Sequence, residues 1–178
     1  MHKSYALVTG ASEGLGKYLA LECAKQKMNL VLVDQPNSRV NRLTKYLQKN
    51  YGVDVLYFEF DLSDTTCCYQ LYKAVKEKDI YINTLINNAG MGGTFYFNEH
   101  SAEYYTKMIS LNITTPTILC HLFLSDLKRT TPSYILNISS IAGMVSLPKK
   151  QVYGGTKSYL LSFSKSLRKE LKDRKSVV

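Results

Sequence analysis

"VTGASEGLG", residues 8–16, is the stretch on which the fold turns. An apolar run, Tyr5–Thr9, leads into it and reads as a strand, and a helical pattern over about 14–27 follows. Gly10, Gly14 and Gly16 permit a tight turn and let backbone N–H groups come close to a ligand. The helix that opens there favours negative charge at its N-terminus. With Ser12, Glu13 and Leu15 between the glycines, the loop reads as a cradle for a pyrophosphate.

A glycine triplet alone is weak, and the next strand supplies the missing context. Leu30–Val33 runs into Asp34 in "NLVLVDQP". A carboxylate at that strand end accepts hydrogen bonds from the hydroxyls of an adenosine ribose and repels a 2′-phosphate. Glu13 adds a second negative charge. Both favour NAD over NADP, while Lys17 and Arg39 are the cations placed to offset them.

Outward from this βαβ start, strand and helix patterns alternate. Further strands are expected over 55–61, 84–87 and 134–138, and helices over 39–50, 64–78, 101–128 and 152–173. Near-continuous apolar strands such as "NLVLV" suit a sheet buried on both faces. The chain is therefore expected to be α/β, a doubly wound parallel sheet with helices on both faces. Without an internal repeat or a linker, residues 1–178 are expected to form one domain.

Composition narrows the function. Hydrophobic residues make up 45% and charges are mixed along the chain, which excludes a disordered protein. The net charge of +9 is spread over several helices, with a mild cluster in "LRKELKDRK", and the 14 tyrosines are scattered. No nucleic-acid partner is expected. "SYALVTG" enters a strand at once, so no secretory leader is expected; "ILCHLFLSDL" is interrupted by His121, Ser125 and Asp126, so neither is a membrane span. Cys23, Cys67, Cys68 and Cys120 have no metal-ligand spacing and read as reduced packing residues of a cytoplasmic protein, with no metal site.

"QVYGGTKSYL", residues 151–160, carries the second signal. Tyr153 and Lys157 stand four residues apart and share one helix face. An unperturbed phenol has a pKa of about 10, too high for an efficient base near neutral pH. An ammonium about 4 Å away, at an effective dielectric of about 20, contributes about 4 kcal/mol, enough to lower that value by up to ~3 units. Gly154 and Gly155 cost the helix up to ~1 kcal/mol each, which small residues repay by allowing close approach.

"TGASEGLG", "NNAG" at 87–90, Asn112 in "LNITT", "NISSIAG" at 137–143 and "YGGTK" at 153–157 resemble, in order and spacing, the motifs of the short-chain dehydrogenase/reductase family, from residue 4 to the end. The resemblance implies a Rossmann-like sheet of strand order 3-2-1-4-5. It implies an oxidoreductase acting on a small alcohol or carbonyl substrate, with Tyr153 as general acid/base. Lys157 would also hold the nicotinamide ribose. Ser140, in the pattern Ser140 to Gly143, would bind the substrate oxygen; its neighbour Ser139 is the competing candidate, and turn capping is the alternative use of such a serine, Ser139 above all. Asn112 would offer its main-chain carbonyl to a relay water; Pro116, lacking an N–H, would leave that carbonyl free. Asp61 and Leu62, closing the third strand, would frame adenine, and Asn88 would lie beside the adenosine ribose.

Helices 101–128 and 152–173 would pair in a homodimer or homotetramer. Family domains continue into a sixth strand and a substrate lid, and here that strand would only begin at Val177-Val178. The expectation is thus a chain without its lid and with an exposed edge at 134–138. The alternative is a catalytically impaired NAD-binding module or a fragment of a longer dehydrogenase.

Overall fold

Tyr5 through Thr9 are buried in succession, the pattern of a strand covered on both faces, and this strand, β1 (Ser4–Thr9), lies in the middle of the sheet. A computed structural model describes residues 3–129, 132–171 and 176–177. The other strands are β2 (Asn29–Asp34), β3 (Val55–Glu59), β4 (Tyr81–Asn87), β5 (Ser133–Asn137) and β6 (Ser176–Val177). All pairings are parallel, in the order β3-β2-β1-β4-β5-β6. The first five follow the expected order. The sixth corrects an expectation: two residues already pair with Ser133 and Tyr134 of β5. Beyond that point Leu136 stays 42% exposed along the edge.

Helices α1 (Gly14–Lys25) and α2 (Val40–Tyr51) cover one face, where Ala20, Ala24, Leu43 and Leu47 pack on Ala6, Val8, Leu30 and Leu32. Helices α3 (Thr65–Lys76), α5 (Thr115–Arg129) and α6 (Gln151–Leu171) cover the other, placing Leu71, Phe123 and Leu171 on Tyr5, Leu7 and Leu85. β-Strand alternation sends Ala6 and Val8 to one core and Tyr5 and Leu7 to the other.

The helix expected over 101–128 is not uniform. It comprises α4 (Ala102–Ile109), a π-helical segment Ser110–Thr114, and α5. The Thr115 N–H donates to the Ser110 carbonyl, five residues back. Pro116 removes the helical donor that residue 112 would have used, and the wide turn falls at that defect.

By length and composition alone, Ala102–Arg129 is apolar enough to cross a membrane, contrary to the expectation from its interrupted apolar run. Its apolarity has a local cause: Leu119, Phe123 and Leu127 are buried in the sheet-facing core. Asp126 on the same helix is 1% exposed. It accepts from the Ile82 N–H and is ion-paired with Lys76, which is why a carboxylate can stand there.

β3 ends at Glu59, two residues earlier than expected, so Asp61 and Leu62 lie in the turn beyond it. Asp61 Oδ1 accepts from both the N–H and the hydroxyl of Ser63, and this side-chain turn competes with the ladder.

Candidate functional site

The crevice opens where β1 and β4 meet and strand order reverses, at the C-terminal ends of the strands. The glycine loop forms its floor. Gly10 and Gly14 have φ of +62° and +52°, left-handed values that a side chain strains. Glu13 is the N-cap residue of α1 but its side chain makes no cap bond, so the helix presents uncapped backbone N–H groups to the crevice.

Asp34 Oδ2 accepts from the Ser12 N–H at 2.7 Å and Oδ1 from the Gln35 N–H at 2.8 Å. Each oxygen keeps a lone pair for a ribose hydroxyl. The loop is locked to β4 by two side chains. Asn88 Nδ2 donates to the carbonyls of Thr9 and Gly10, both at 3.0 Å. Thr9 Oγ1 accepts from the N–H groups of Asn88 and Ala89, also at 3.0 Å. Asn88 thus holds the loop's shape.

Two clefts meet in this crevice. One, of about 540 Å³, is lined by Gly10, Glu13, Asp34, Asp61, Leu62 and Asn88 among others. Lys107 bridges Asp61 at 3.1 Å. Hydrogen bonding from the Ser63 hydroxyl, helped by the Ser63 N–H and Lys107, holds the Asp61 carboxyl below the usual carboxylate range. The second cleft, of about 750 Å³, contains Leu15, Ser139, Ser140, Tyr153 and Lys157. Asn88, Gly90 and Met91 line both, so the two are continuous.

Lys157 is 5% exposed and burial pushes its ammonium below the ordinary lysine range. Its Nζ donates to the Ile138 carbonyl at 2.8 Å and stands 5.8 Å from the Tyr153 ring centre. Two of its three N–H groups remain for the crevice. Ser139 and Ser140 exchange the tasks expected of a capping residue. Ser140 caps the short turn Ile141–Gly143 by accepting from the Ala142 N–H, leaving its own O–H to donate. Ser139 donates to the Lys157 carbonyl at 2.9 Å and so locates α6.

Asn112 lies in the π segment and is 1% exposed. Its Oδ1 accepts from the Met91 N–H at 2.9 Å, and its Nδ2 donates to the Met91 carbonyl at 2.8 Å and to Thr156 Oγ1 at 3.0 Å. The side chain is a clamp joining the Met91 backbone to α6. Sequence reasoning assigned a use only to its main chain.

Gly154 and Gly155 differ. A Cβ on Gly154 would stand 2.9 Å from the Ala142 carbonyl oxygen, whereas one on Gly155 would meet nothing within 4 Å. Close approach explains only the first. Gly155→Ala should raise stability by about 0.5–1 kcal/mol, read from denaturant midpoints, and Gly154→Ala should lower it.

The uncapped helix start, the left-handed glycines and the Asp34 carboxylate make a cradle fitted to an adenosine pyrophosphate. The comparisons with known proteins agree on the framework: a sequence profile of the short chain dehydrogenases matches residues 4–178. The chain belongs to the short chain dehydrogenase family.

A family relative, NADP-dependent 3-hydroxy acid dehydrogenase of Schizosaccharomyces pombe, is 35% identical over 169 residues, 94% of this chain and 65% of that protein. Hydroxysteroid dehydrogenase-like protein 1 of Gallus gallus is 31% identical, over 92% of this chain and 50% of that protein. The chain therefore spans between half and two-thirds of these curated relatives. A short-chain dehydrogenase from Sphingobium yanoikuyae, in complex with NADPH, superposes with a TM-score of 0.89 at 31% identity, covering 99% of this chain and 68% of that one. A bulky-bulky ketone specific alcohol dehydrogenase from Comamonas testosteroni does so with a TM-score of 0.88 at 30% identity, covering 98% and 69%.

Within this short chain dehydrogenase framework, sequence reading passed over Thr9, Met91 and Gly92. A Cβ on Gly92 would meet the Tyr153 ring at 2.5 Å, so the loop segment beyond "NNAG" lies against that ring. The glycine pair Gly92-Gly93 was the available signal.

Proposed function

We propose that this chain is an oxidoreductase that interconverts an alcohol and a carbonyl compound, using NAD(H), with Tyr153 as general acid/base. The observation that carries the reading is the continuity of the two clefts: the Tyr153, Lys157 and Ser140 side opens directly onto the Asp34 and glycine-loop side. A bound dinucleotide would supply or take up the hydride. Ser140 O–H would donate to the substrate oxygen and fix it beside the Tyr153 hydroxyl. In reduction Tyr153 gives its proton to that oxygen; in oxidation it takes one back. Lys157 contributes its positive charge near the phenol and two N–H donors for ribose hydroxyls, with its position set by the Ile138 carbonyl. Asn112 keeps the Met91 backbone, the join between the clefts, in place.

The NAD preference rests on Asp34, which lines the adenosine side, and on Glu13 beside it. A carboxylate near a 2′-phosphate costs on the order of 1–2 kcal/mol at the protein surface, about tenfold in affinity. Fluorescence titration should give NADH a dissociation constant about tenfold below that of NADPH, and Asp34→Ser should remove most of the difference. A second reading, preference for NADP(H), is favoured by one specific observation. Lys17, Arg39 and Arg42 line a neighbouring pocket with Ser12 and Glu13, and have no carboxylate partner among the described residues. Tighter NADPH binding, lost in Arg39→Ala, would establish that reading and remove the first.

A further inference from the structure

Lys149 and Lys150 stand just before α6, and between them they take hold of residues 93–96. The Lys149 carbonyl accepts from the Phe95 N–H at 3.2 Å. Lys149 Nζ sits 4.0 Å from the centre of the Tyr96 ring. Lys150 Nζ donates to the Gly93 carbonyl at 3.1 Å and to Thr94 Oγ1 at 2.9 Å. Four contacts thus join one dipeptide to one short segment. The backbone accepts strain to do this, because Lys149 has φ +62°, a left-handed value that few lysines adopt.

What the tether positions is Gly92, immediately before it. The Gly92 backbone lies so close to the Tyr153 ring that a Cβ would come within 2.5 Å of it. On the other side Asn112 clamps Met91. The segment 91–94 is therefore held at both ends across the tyrosine. Lys150 also lines the cleft and places its ammonium 5.3 Å from the Tyr153 ring centre, nearer than that of Lys157 at 5.8 Å. Among the residues lining this cleft, Lys150, Tyr153 and Lys157 are the only ones that titrate; the segments 88–93 and 138–142 contribute none.

We propose that Lys150 is a positioning residue of this site: it ties the Gly92–Thr94 segment against Tyr153 and supplies a second positive charge beside the phenol. This rests on the proposed role of Tyr153. One helix-proximal lysine then does two things. It sets the packing that restricts the tyrosine ring, and it favours the phenolate when Tyr153 must accept a proton.

The tests use the full chain. In Lys150→Met, which keeps most of the stem but removes donors and charge, kcat for alcohol oxidation should fall about tenfold and the acidic limb of its pH profile should move up by about one unit. The direction follows from charge: the variant removes a cation that stands 5.3 Å from the centre of the ring on which negative charge would develop. Lys150→Arg should restore both. NADH affinity should stay within about twofold, because the glycine loop and Asp34 are untouched. Amide exchange over 92–96 should rise at least about tenfold in Lys150→Met, a readout that needs no turnover. An unchanged kcat and pH profile in Lys150→Met would overturn the electrostatic half, and unchanged exchange the tether. If Lys150→Met melts too low to assay, Thr94→Val removes one acceptor and keeps the charge. It should raise exchange over 92–96 without moving the pH profile, and wild-type exchange would sink the tether. Wild-type protein that binds NADH yet turns over no alcohol or ketone defeats the oxidoreductase reading instead and, with it, the electrostatic half, while exchange still decides the tether.

Discussion

Tyr153→Phe should lower turnover by about a thousandfold while leaving NADH affinity within about twofold. Phenylalanine preserves the ring that Gly92 packs against, so the local packing has no reason to change. The Tyr153 carbonyl still accepts from the Thr156 hydroxyl, so the start of α6 keeps its bonding. What disappears is the hydroxyl that, in the proposed mechanism, gives and takes the proton at the substrate oxygen. Ser140 can donate, but its oxygen is held by the Ala142 N–H. Lys157 is buried, with its ammonium held by the Ile138 carbonyl. The measurement is steady-state NADH oxidation over a panel of ketones together with a binding titration. Undiminished turnover with any substrate would remove Tyr153 from its assigned role.

Gly16→Ala should be the most damaging small substitution in the loop. A Cβ there would lie 2.0 Å from the Gly10 carbonyl oxygen, 2.5 Å from Asn88 Nδ2 and 2.9 Å from the Gly10 carbonyl carbon. Two of those atoms are backbone, and the third is bonded to Thr9 and Gly10, so none can give way cheaply. Forced shifts of that kind cost about 1–3 kcal/mol. They also displace the N–H groups of the α1 start, so NADH affinity should drop at least about tenfold, equivalent to about 1.4 kcal/mol. Thermal melting and an NADH titration of the variant read both. A variant with the parent's melting temperature and affinity would show that α1 can slide away from Gly10.

Gly16 was legible before any coordinates as a turn glycine of a ligand-facing loop, from its place in "GASEGLG" between a strand and a helix, whereas its close packing on the Gly10 carbonyl came only with the structure. The five-strand order was legible too, and the structure bears it out with one addition, the short β6. Most residues expected at the site line one crevice: Gly10, Glu13, Asp34, Asp61, Leu62 and Asn88 around its first cleft, Leu15, Ser140, Tyr153 and Lys157 around the second. Ser12 and Gly14 line the neighbouring pocket. Asn112 reaches the crevice through Met91, and Gly16 lies behind the loop. Besides the added β6 and the membrane-length apolar helix, four expectations changed. β3 stopped before Asp61, the long helix opened into a π segment, the capping role went to Ser140 instead of Ser139, and Gly155 lost its packing rationale.

By itself, the sequence determined whatever depends on local chain chemistry: buried parallel strands from apolar runs, the turn from its glycines, the shared face of Tyr153 and Lys157 from helical spacing. Each of these is written within a few residues. Only the tertiary structure decided which polar groups meet across the fold. Asn112 clamping Met91, 21 positions away, Lys76 neutralising buried Asp126, and Lys150 reaching Gly93 over 57 positions are contacts between groups whose separation along the chain carries no periodic signal. Such pairs exist because a buried donor, acceptor or charge must find a partner in whatever neighbour the packing brings within about 3 Å.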